Sequence, residues 1–401
     1  MSRSRPQLKA KPPKCGGAQN VRMNLARRRG SFPLTVAAIV VALAISATAL
    51  PQGHESPSPG TLVALPFSRG KEIFTSRVGK SGGVDFCVQE GAEGKPRLLV
   101  DSATDPFIAK YPLPDFAVSD DGRFLAHFQP QADDARFESI PIIDIKTGQP
   151  LPDQVKWTHD SDFSWHGRGF YYGLYPTPSS SEDKSEPPYH DETIMFHRLG
   201  RAQSKDEIVY RDAANPTRKY LFLNTFDQRW LLVHALERAD GKRYRTELFR
   251  REGKGNPEFT TFIQRQEGGA TYLIDDVDGK LLLQTTYKAA QGRLILVDPK
   301  KPDEANWKQI VPEGTTALID GNPVLGKMVL ILPVASGGSR AAFFDLHGKH
   351  LSDIPTEPGT NADVQFGRKN ERYGFLSTQK GSGPKSYFLY DPATGKLTPF
   401  R

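Results

Sequence analysis

The chain has 401 residues, 37% hydrophobic and 25% charged, enough for one large domain or two ordinary ones and too apolar for disorder throughout. A formal charge of +7 raises nucleic acid as a partner, but residues 1–29 carry nine of the 53 basic side chains and no acid. The rest holds 44 basic groups against 46 acidic ones, so the body is mildly acidic and no nucleic-acid surface is expected.

A basic leader fills residues 1–33, and the uncharged run Leu34 to Leu50 follows Arg27-Arg28-Arg29 closely. That order is the mark of a secretory signal or a signal anchor, expected as a single hydrophobic helix. Its 17 residues rise roughly 25 Å against a hydrocarbon core of about 30 Å. Two outcomes stay open: cleavage at Ala47-Thr48-Ala49, or an anchor with membrane contact through residues 34–50. Either way the body is expected to be exported, periplasmic or otherwise extracytoplasmic, or membrane-anchored with the folded part outside the cytoplasm. Residues 51–61 are rich in Pro, Ser and Gly and read as a linker. The two cysteines are Cys15 in the leader and Cys87 in the body, so the exported part is expected to fold without a disulfide.

From residue 62 to 401 the chain is a series of short apolar runs separated by Asp, Gly, Asn and Pro turns, which predicts an all-β fold. A polar turn, a basic residue and an apolar strand start recur seven times, marked by Ile73, Phe124, Phe170, Trp230, Leu281, Met328 and Tyr373. The spacings of 51, 46, 60, 51, 47 and 45 predict a seven-bladed β-propeller of four-stranded blades. A second mark, an apolar-Asp-turn unit, places Asp144, Asp298, Asp345 and Asp391 at 20, 17, 17 and 18 residues after the nearest first mark. Asp and Gly supply the turn conformations that hairpins require. The 60-residue spacing holds an insertion, Thr177 to Thr193, which reads as a mobile surface loop because no apolar run anchors it.

Little chemistry is written in the motifs. The nearest approach to a nucleophile elbow, Gly337-Gly338-Ser339-Arg340-Ala341, has Ala in place of the final Gly, and only 62 residues follow Ser339. It reads as a hairpin turn. His347 and His350 fall on an Asp-Gly turn, no metal-ligand spacing is present, and no phosphate or dinucleotide motif occurs, so neither metal nor cofactor is expected. Cys87 reads as a half-buried strand residue rather than a reactive thiol.

Several stretches carry a family resemblance. FAVSDDGRFLAH and IIDIKTGQPLPDQVKWTHDSDFSWHGRGFYYGLYP within Phe116–Pro176, MFHRLGRAQSKDEIVYRD from Met195 and GRLILVDPKKPDEANWKQIVPE from Gly292 resemble the N-terminal propeller of the prolyl oligopeptidase family of serine peptidases. The likeness runs in one order from about Pro66 to Arg401, and its LPD, HRLG-x-x-QS and NW-x-x-(I/V)-x-PE blocks are its most specific parts. The resemblance implies a propeller that caps an α/β-hydrolase domain and restricts it to short peptides, cleaved after proline. The family's catalytic Ser, Asp and His lie C-terminal to the propeller, and this chain stops at Arg401, about where the last blade ends. No catalytic residue is therefore assigned. The resemblance also implies that the aromatic after Val155-Lys156, Trp157, lines the substrate cavity, with a blade-core aromatic as the alternative. Leu236 stands where the family has a substrate-facing arginine, which puts family-type peptide recognition in doubt.

The expected function is that of an exported, catalytically incompetent propeller acting as a peptide or protein binding module. The alternative is the non-catalytic half of a split or truncated proline-specific serine endopeptidase, whose hydrolase domain is a separate chain. On either reading no activity is expected from this chain alone.

Overall fold

The computed structural model describes residues 58–401 except 105–115, 160, 179–189, 240–242, 253–257, 268, 316, 317, 319, 335, 336, 369, 370 and 372; at 236–239, 243–252 and 265–267 the backbone alone is described. The leader, the apolar run 34–50, Cys15 and most of the linker lie outside the described residues. Among the described residues no helix is long and apolar enough to cross a membrane.

The short apolar runs form antiparallel meanders. β1 to β4 are Phe67–Arg69, Glu72–Val78, Val84–Glu90 and Arg97–Val100. β5 to β9 are Phe116–Val118, Phe124–His127, Gln129–Pro130, Glu138–Asp144 and Gln149–Thr158, with β6 and β7 together lying along β8 as one interrupted strand. β10 to β13 are Phe163–His166, Gly169–Leu174, Thr193–Arg198 and Glu207–Tyr210. β14 to β17 are Lys219–Asn224, Trp230–Ala239, Arg243–Glu252 and Thr260–Glu267. β18 to β21 are Thr271–Val277, Lys280–Thr285, Arg293–Val297 and Lys308–Val311. The final sheet has two halves, joined by a single parallel pairing of Ser339 with Asn361. Its first half is β22 to β25, Asp320–Val324, Lys327–Pro333, Ser339–Asp345 and His350–Asp353. Its second half is β26 to β29, Thr360–Phe366, Gly374–Lys380, Ser386–Asp391 and Lys396–Pro399.

The two sequence marks now have a cause. Ile73, Phe124, Phe170, Trp230, Leu281 and Met328 stand at the start of the second strand of their unit, and Tyr373 directly precedes β27. Asp144, Asp345 and Asp391 end third strands, and Asp298 follows one. Phe124 pairs with Asp144 and Lys327 with Asp345, so the spacing between the marks is the length of one hairpin. Each Asp closes its turn by accepting backbone N–H groups: Thr147 at 2.9 Å on Asp144, Lys300 at 2.8 Å on Asp298, His347 at 2.8 Å on Asp345 and Ala393 at 2.9 Å on Asp391. The Thr147 N–H on Asp144, and on Asp345 the Lys349 N–H at 2.9 Å with that of His347, hold these two carboxyls below their ordinary range.

Alternating side chains bury both faces of each unit against its neighbours. Phe74, Phe86, Phe116 and Leu125 join the first unit to the second, and Phe86 stacks on Phe116 at 4.0 Å. Phe124, Ile142, Trp165 and Phe170 join the second to the third. Further clusters continue in chain order. Leu62, Ile73, Phe375, Tyr387 and Phe400 then pack the first unit against the last. Each large side chain so buried contributes about 1.5–3 kcal/mol. First strands meet first strands, β10 with β14, β18 with β22 and β1 with β26, so they surround a common axis in the propeller arrangement that the repeats imply. Strand direction then sorts the turns. First-to-second turns lie at one end of the axis; second-to-third turns lie at the other, with Gly60 and Arg401. There Arg77 donates to the carbonyls of Gly60 and Arg401, each at 3.0 Å.

Candidate functional site

Trp157 lies next to last on β9, at the end of the axis that carries Gly60 and Arg401. Its φ is +63°, a left-handed conformation that a bulky side chain adopts only when its surroundings impose it. The surroundings do so from both sides. The Trp157 N–H donates to Gln131 Oε1 at 2.9 Å, and its carbonyl accepts from the Tyr175 N–H at 2.8 Å. The half-buried indole meets the Phe137 ring edge-on at 5.2 Å. Trp157 is therefore neither a wholly buried core aromatic nor a free surface one.

Behind it, two blocks of the family resemblance meet. Asp153 of the LPD block and His197 of the HRLG block lie 44 residues apart, yet His197 Nε2 stands 3.2 Å from Asp153 Oδ1. On the opposite side of the ring, Nδ1 lies 2.9 Å from Asp206 Oδ1. The Tyr172 hydroxyl donates to Asp206 Oδ2 at 2.8 Å, and the Gly200 N–H donates to Asp153. Gln203 clamps Lys156, accepting from its N–H at 3.1 Å and donating to its carbonyl at 2.9 Å. Burial opposes a charge on His197, but the hydrogen bonds and charges of Asp206 and Asp153 outweigh it and leave its pKa above the ordinary value. With His197 only 1% exposed and its two carboxylates on opposite ring nitrogens, the group holds adjacent units together and fixes the strand that bears Trp157.

A second buried group sits beside Tyr175. Glu192 is 3% exposed; its Oε2 accepts from the Tyr220 N–H at 3.2 Å. Burial pushes its carboxyl up to about 7, against the opposing charge of Lys219 and the Tyr220 and Tyr175 hydrogen bonds. The Lys219 ammonium bonds the Tyr175 hydroxyl and stands 4.4 Å from the centre of that ring. Gly173 makes room, because a Cβ there would strike Glu192 Oε1 and Ser161 Oγ. This corrects the reading of residues 177–193 as a surface loop throughout. Glu192 is core and Thr193 opens β12, while residues 179–189 lie outside the described residues. Nothing in the local composition distinguished Glu192, since its burial depends on Lys219 and Tyr220 from the next unit. Next to it an open cleft of about 240 Å³ is lined by Leu174, Tyr175, Met195, Ile208, Asp191 and Arg211, with Ile208 66% exposed.

The remaining sequence candidates stand apart. Leu236 pairs with Lys219 across β14 and β15, and its side chain lies outside the described residues. Ser339 follows a turn in which Gly337 and Gly338 have φ of +90° and +89°, and its hydroxyl donates to the Ala362 carbonyl at 2.7 Å. It is a hairpin residue. His350 meets Asp353 at 2.9 Å on an exposed edge, and no metal-holding group of His, Cys, Asp or Glu occurs among the described residues. Cys87 is buried in β3, and burial pushes its thiol up to about 11, which leaves it a poor nucleophile.

Comparison with known proteins matches the family model "Prolyl oligopeptidase, N-terminal beta-propeller domain" to residues 59–401. A prolyl endopeptidase of Elizabethkingia meningoseptica is 24% identical over 341 residues, covering 83% of this chain and 46% of that protein. Prolyl oligopeptidase A of Amanita bisporigera is 26% identical over 190 residues, 45% of this chain and 25% of that one. Among solved structures, one from a study of two prolyl endopeptidases superposes with a TM-score of 0.72 at 23% identity, over 85% of this chain and 50% of that chain. Prolyl oligopeptidase B of Galerina marginata, bound to a 25mer macrocyclization substrate, gives 0.68 at 17%, over 86% and 50%. At these identities the structures speak for the fold alone. The chain spans about half the length of the curated relatives it matches most extensively. Because the family model covers nearly all of the sequence outside the leader, apolar run and linker, the chain belongs to the prolyl oligopeptidase family through its N-terminal β-propeller domain.

Proposed function

We propose that this chain is an exported, seven-bladed propeller that binds peptide or protein at the face carrying Gly60 and Arg401, and that its own residues perform no hydrolysis. The observation that carries the binding reading is Trp157, a large aromatic held at positive φ whose carbonyl bonds the N–H of Tyr175, a residue of the open cleft, since backbone strain of this kind is retained where function uses it. The seven-blade reading is supported by the clusters that link the units in cyclic order. Export rests on Arg27-Arg28-Arg29 followed by Leu34–Leu50, and is tested by whether residues 1–61 carry a reporter enzyme out of the cytoplasm. For the binding function, a fluorescent proline-containing peptide is titrated into the purified chain. Binding that Trp157→Ala weakens roughly tenfold supports the reading, and no binding overturns it. Labelling of the same chain by a serine-directed fluorophosphonate would overturn the non-hydrolytic part.

One observation favours a second reading, a non-catalytic half of a proline-specific serine endopeptidase with its hydrolase domain on a separate stretch of polypeptide. Arg77 brings Gly60 and Arg401 together on the same face as Trp157, where a second domain would sit over the cleft. This reading requires proline-specific cleavage to appear when a hydrolase-sized partner is added.

A further inference from the structure

The opposite end of the axis carries a different polar network, built from turns that sheet order keeps apart. Asp120 lies in the β5–β6 turn, Gln228 in the β14–β15 turn and Arg368 in the β26–β27 turn. The Arg368 guanidinium pairs with the Asp120 carboxylate and lies over the Phe226 ring, 5.6 Å from its centre. Gln228 Nε2 donates to Asp120 Oδ2 at 3.0 Å, and Gln228 Oε1 accepts from the Gly167 N–H at 3.0 Å. The Phe226 N–H in turn donates to Asp275 Oδ1 of β18 at 2.8 Å. At the rim, Glu371 accepts from the Ser68 hydroxyl and, at 3.3 Å, from the Gly70 N–H, beside Arg69, which is 3% exposed.

The electrostatics balance. Burial lowers Arg69 to about 10, with Glu371 opposing; it lowers Arg368 to about 9, where the Arg69 charge adds to the effect and Glu371 again opposes. Both stay cationic at neutral pH and face two carboxylates, Asp120 and Glu371. Arg368 and Asp120 are half-buried rather than dry, and the group is held by its mutual contacts, so that loss of one partner weakens the hold on the others.

Geometry gives these contacts their meaning. The β5–β9 and β14–β17 sheets have the β10–β13 sheet between them, and the β26–β29 unit packs against β22–β25 and β1–β4. Side chains from these three units meet only across the axis. We propose that Arg368, Asp120, Gln228 and Phe226 plug the channel at the end remote from Gly60 and Arg401. The channel is then a blind tunnel: a peptide enters it end first from the Trp157 face and does not thread through. The inference rests on the ring reading given above, so its test separates the two.

The test uses the full chain with Cys15→Ser and Cys87→Ser and one new thiol, Asn224→Cys. Asn224 ends β14, an axis-facing strand, and bonds the Trp165 carbonyl of the neighbouring first strand at 2.9 Å. The rate of reaction with a bulky maleimide is measured with Arg368 intact and with Arg368→Ala. Slow labelling that rises roughly tenfold or more on removal of Arg368 is the expected result. Equally slow labelling in both chains overturns the plug and leaves the ring standing. Labelling as fast as a free thiol in both overturns the ring and the plug together. Should Arg368→Ala lose its circular dichroism signal, Asp120→Asn replaces it, with the same acceleration expected and an unchanged rate overturning the plug.

Discussion

Replacing Glu192 with glutamine removes one ionisation from a site almost without water while keeping an oxygen for the Tyr220 N–H. The folded carboxyl titrates at about 7 against 4.5 for the free group, a difference of 2.5 units. At about 1.36 kcal/mol per unit this is roughly 3 kcal/mol. The sign follows from proton binding. Below pH 4.5 both folded and unfolded chains hold the proton, and the ionisation favours neither. Between 4.5 and about 7 the unfolded chain releases it first, so stability falls as pH rises; above that window the loss is complete and constant. Relative to Glu192→Gln, the parent chain is therefore expected to lose roughly 3 kcal/mol between about pH 4 and pH 8. Guanidinium denaturation followed by tryptophan fluorescence, extrapolated linearly to water across that range, reads the difference, and subtraction cancels every other titration the two chains share. Two stability curves that run parallel across the whole range would refute the reasoning, because they would mean that Lys219 and Tyr175 already compensate the ionised carboxylate.

Three further substitutions probe the packing that supports this face. His197→Ala strands the Asp153 and Asp206 carboxylates and is expected to cost about 3–5 kcal/mol. Because the folded His197 pKa is raised, its contribution is complete below its ordinary value of 6.5 and is lost as pH rises through the folded one, so the cost is larger at pH 5.5 than at pH 9 in denaturation measurements. Phe170→Ala empties a buried ring site stacked on Phe163 at 4.6 Å and is expected to cost about 3–5 kcal/mol by the same denaturation assay. Gly173→Ala drives a methyl into Glu192 and Ser161 and is expected to cost about 1–3 kcal/mol, read as a lowered thermal midpoint.

Much of the architecture was legible in the chain because its causes are local. A hairpin needs Asp or Gly at its turn and an apolar residue at its strand start, and the units repeat that need, so Phe124 with Asp144 and Met328 with Asp345 carry a common phase in plain sequence. The LPD and HRLG-x-x-QS blocks likewise stood out as family marks, and Trp157 was placed by its neighbours Val155 and Lys156. What those blocks do was not legible. Asp153, His197 and Asp206 become one hydrogen-bonded group only when β9 packs beside the hairpin of β11 and β12.

The same limit applies with more force to charge. Sequence by itself determined the strand pattern, the near-neutral body behind a basic leader, and the propeller class, since each follows from residue type and spacing along the chain. Tertiary structure alone decided that Glu192 is buried against Lys219, that Trp157 sits at positive φ, and that Arg368 reaches Asp120 and Phe226 across the axis. The physical reason is that solvation is not a property of a residue. A carboxylate or guanidinium changes its character when distant segments exclude water from it, and which segments do so is set by the closing of the ring rather than by the order of the chain.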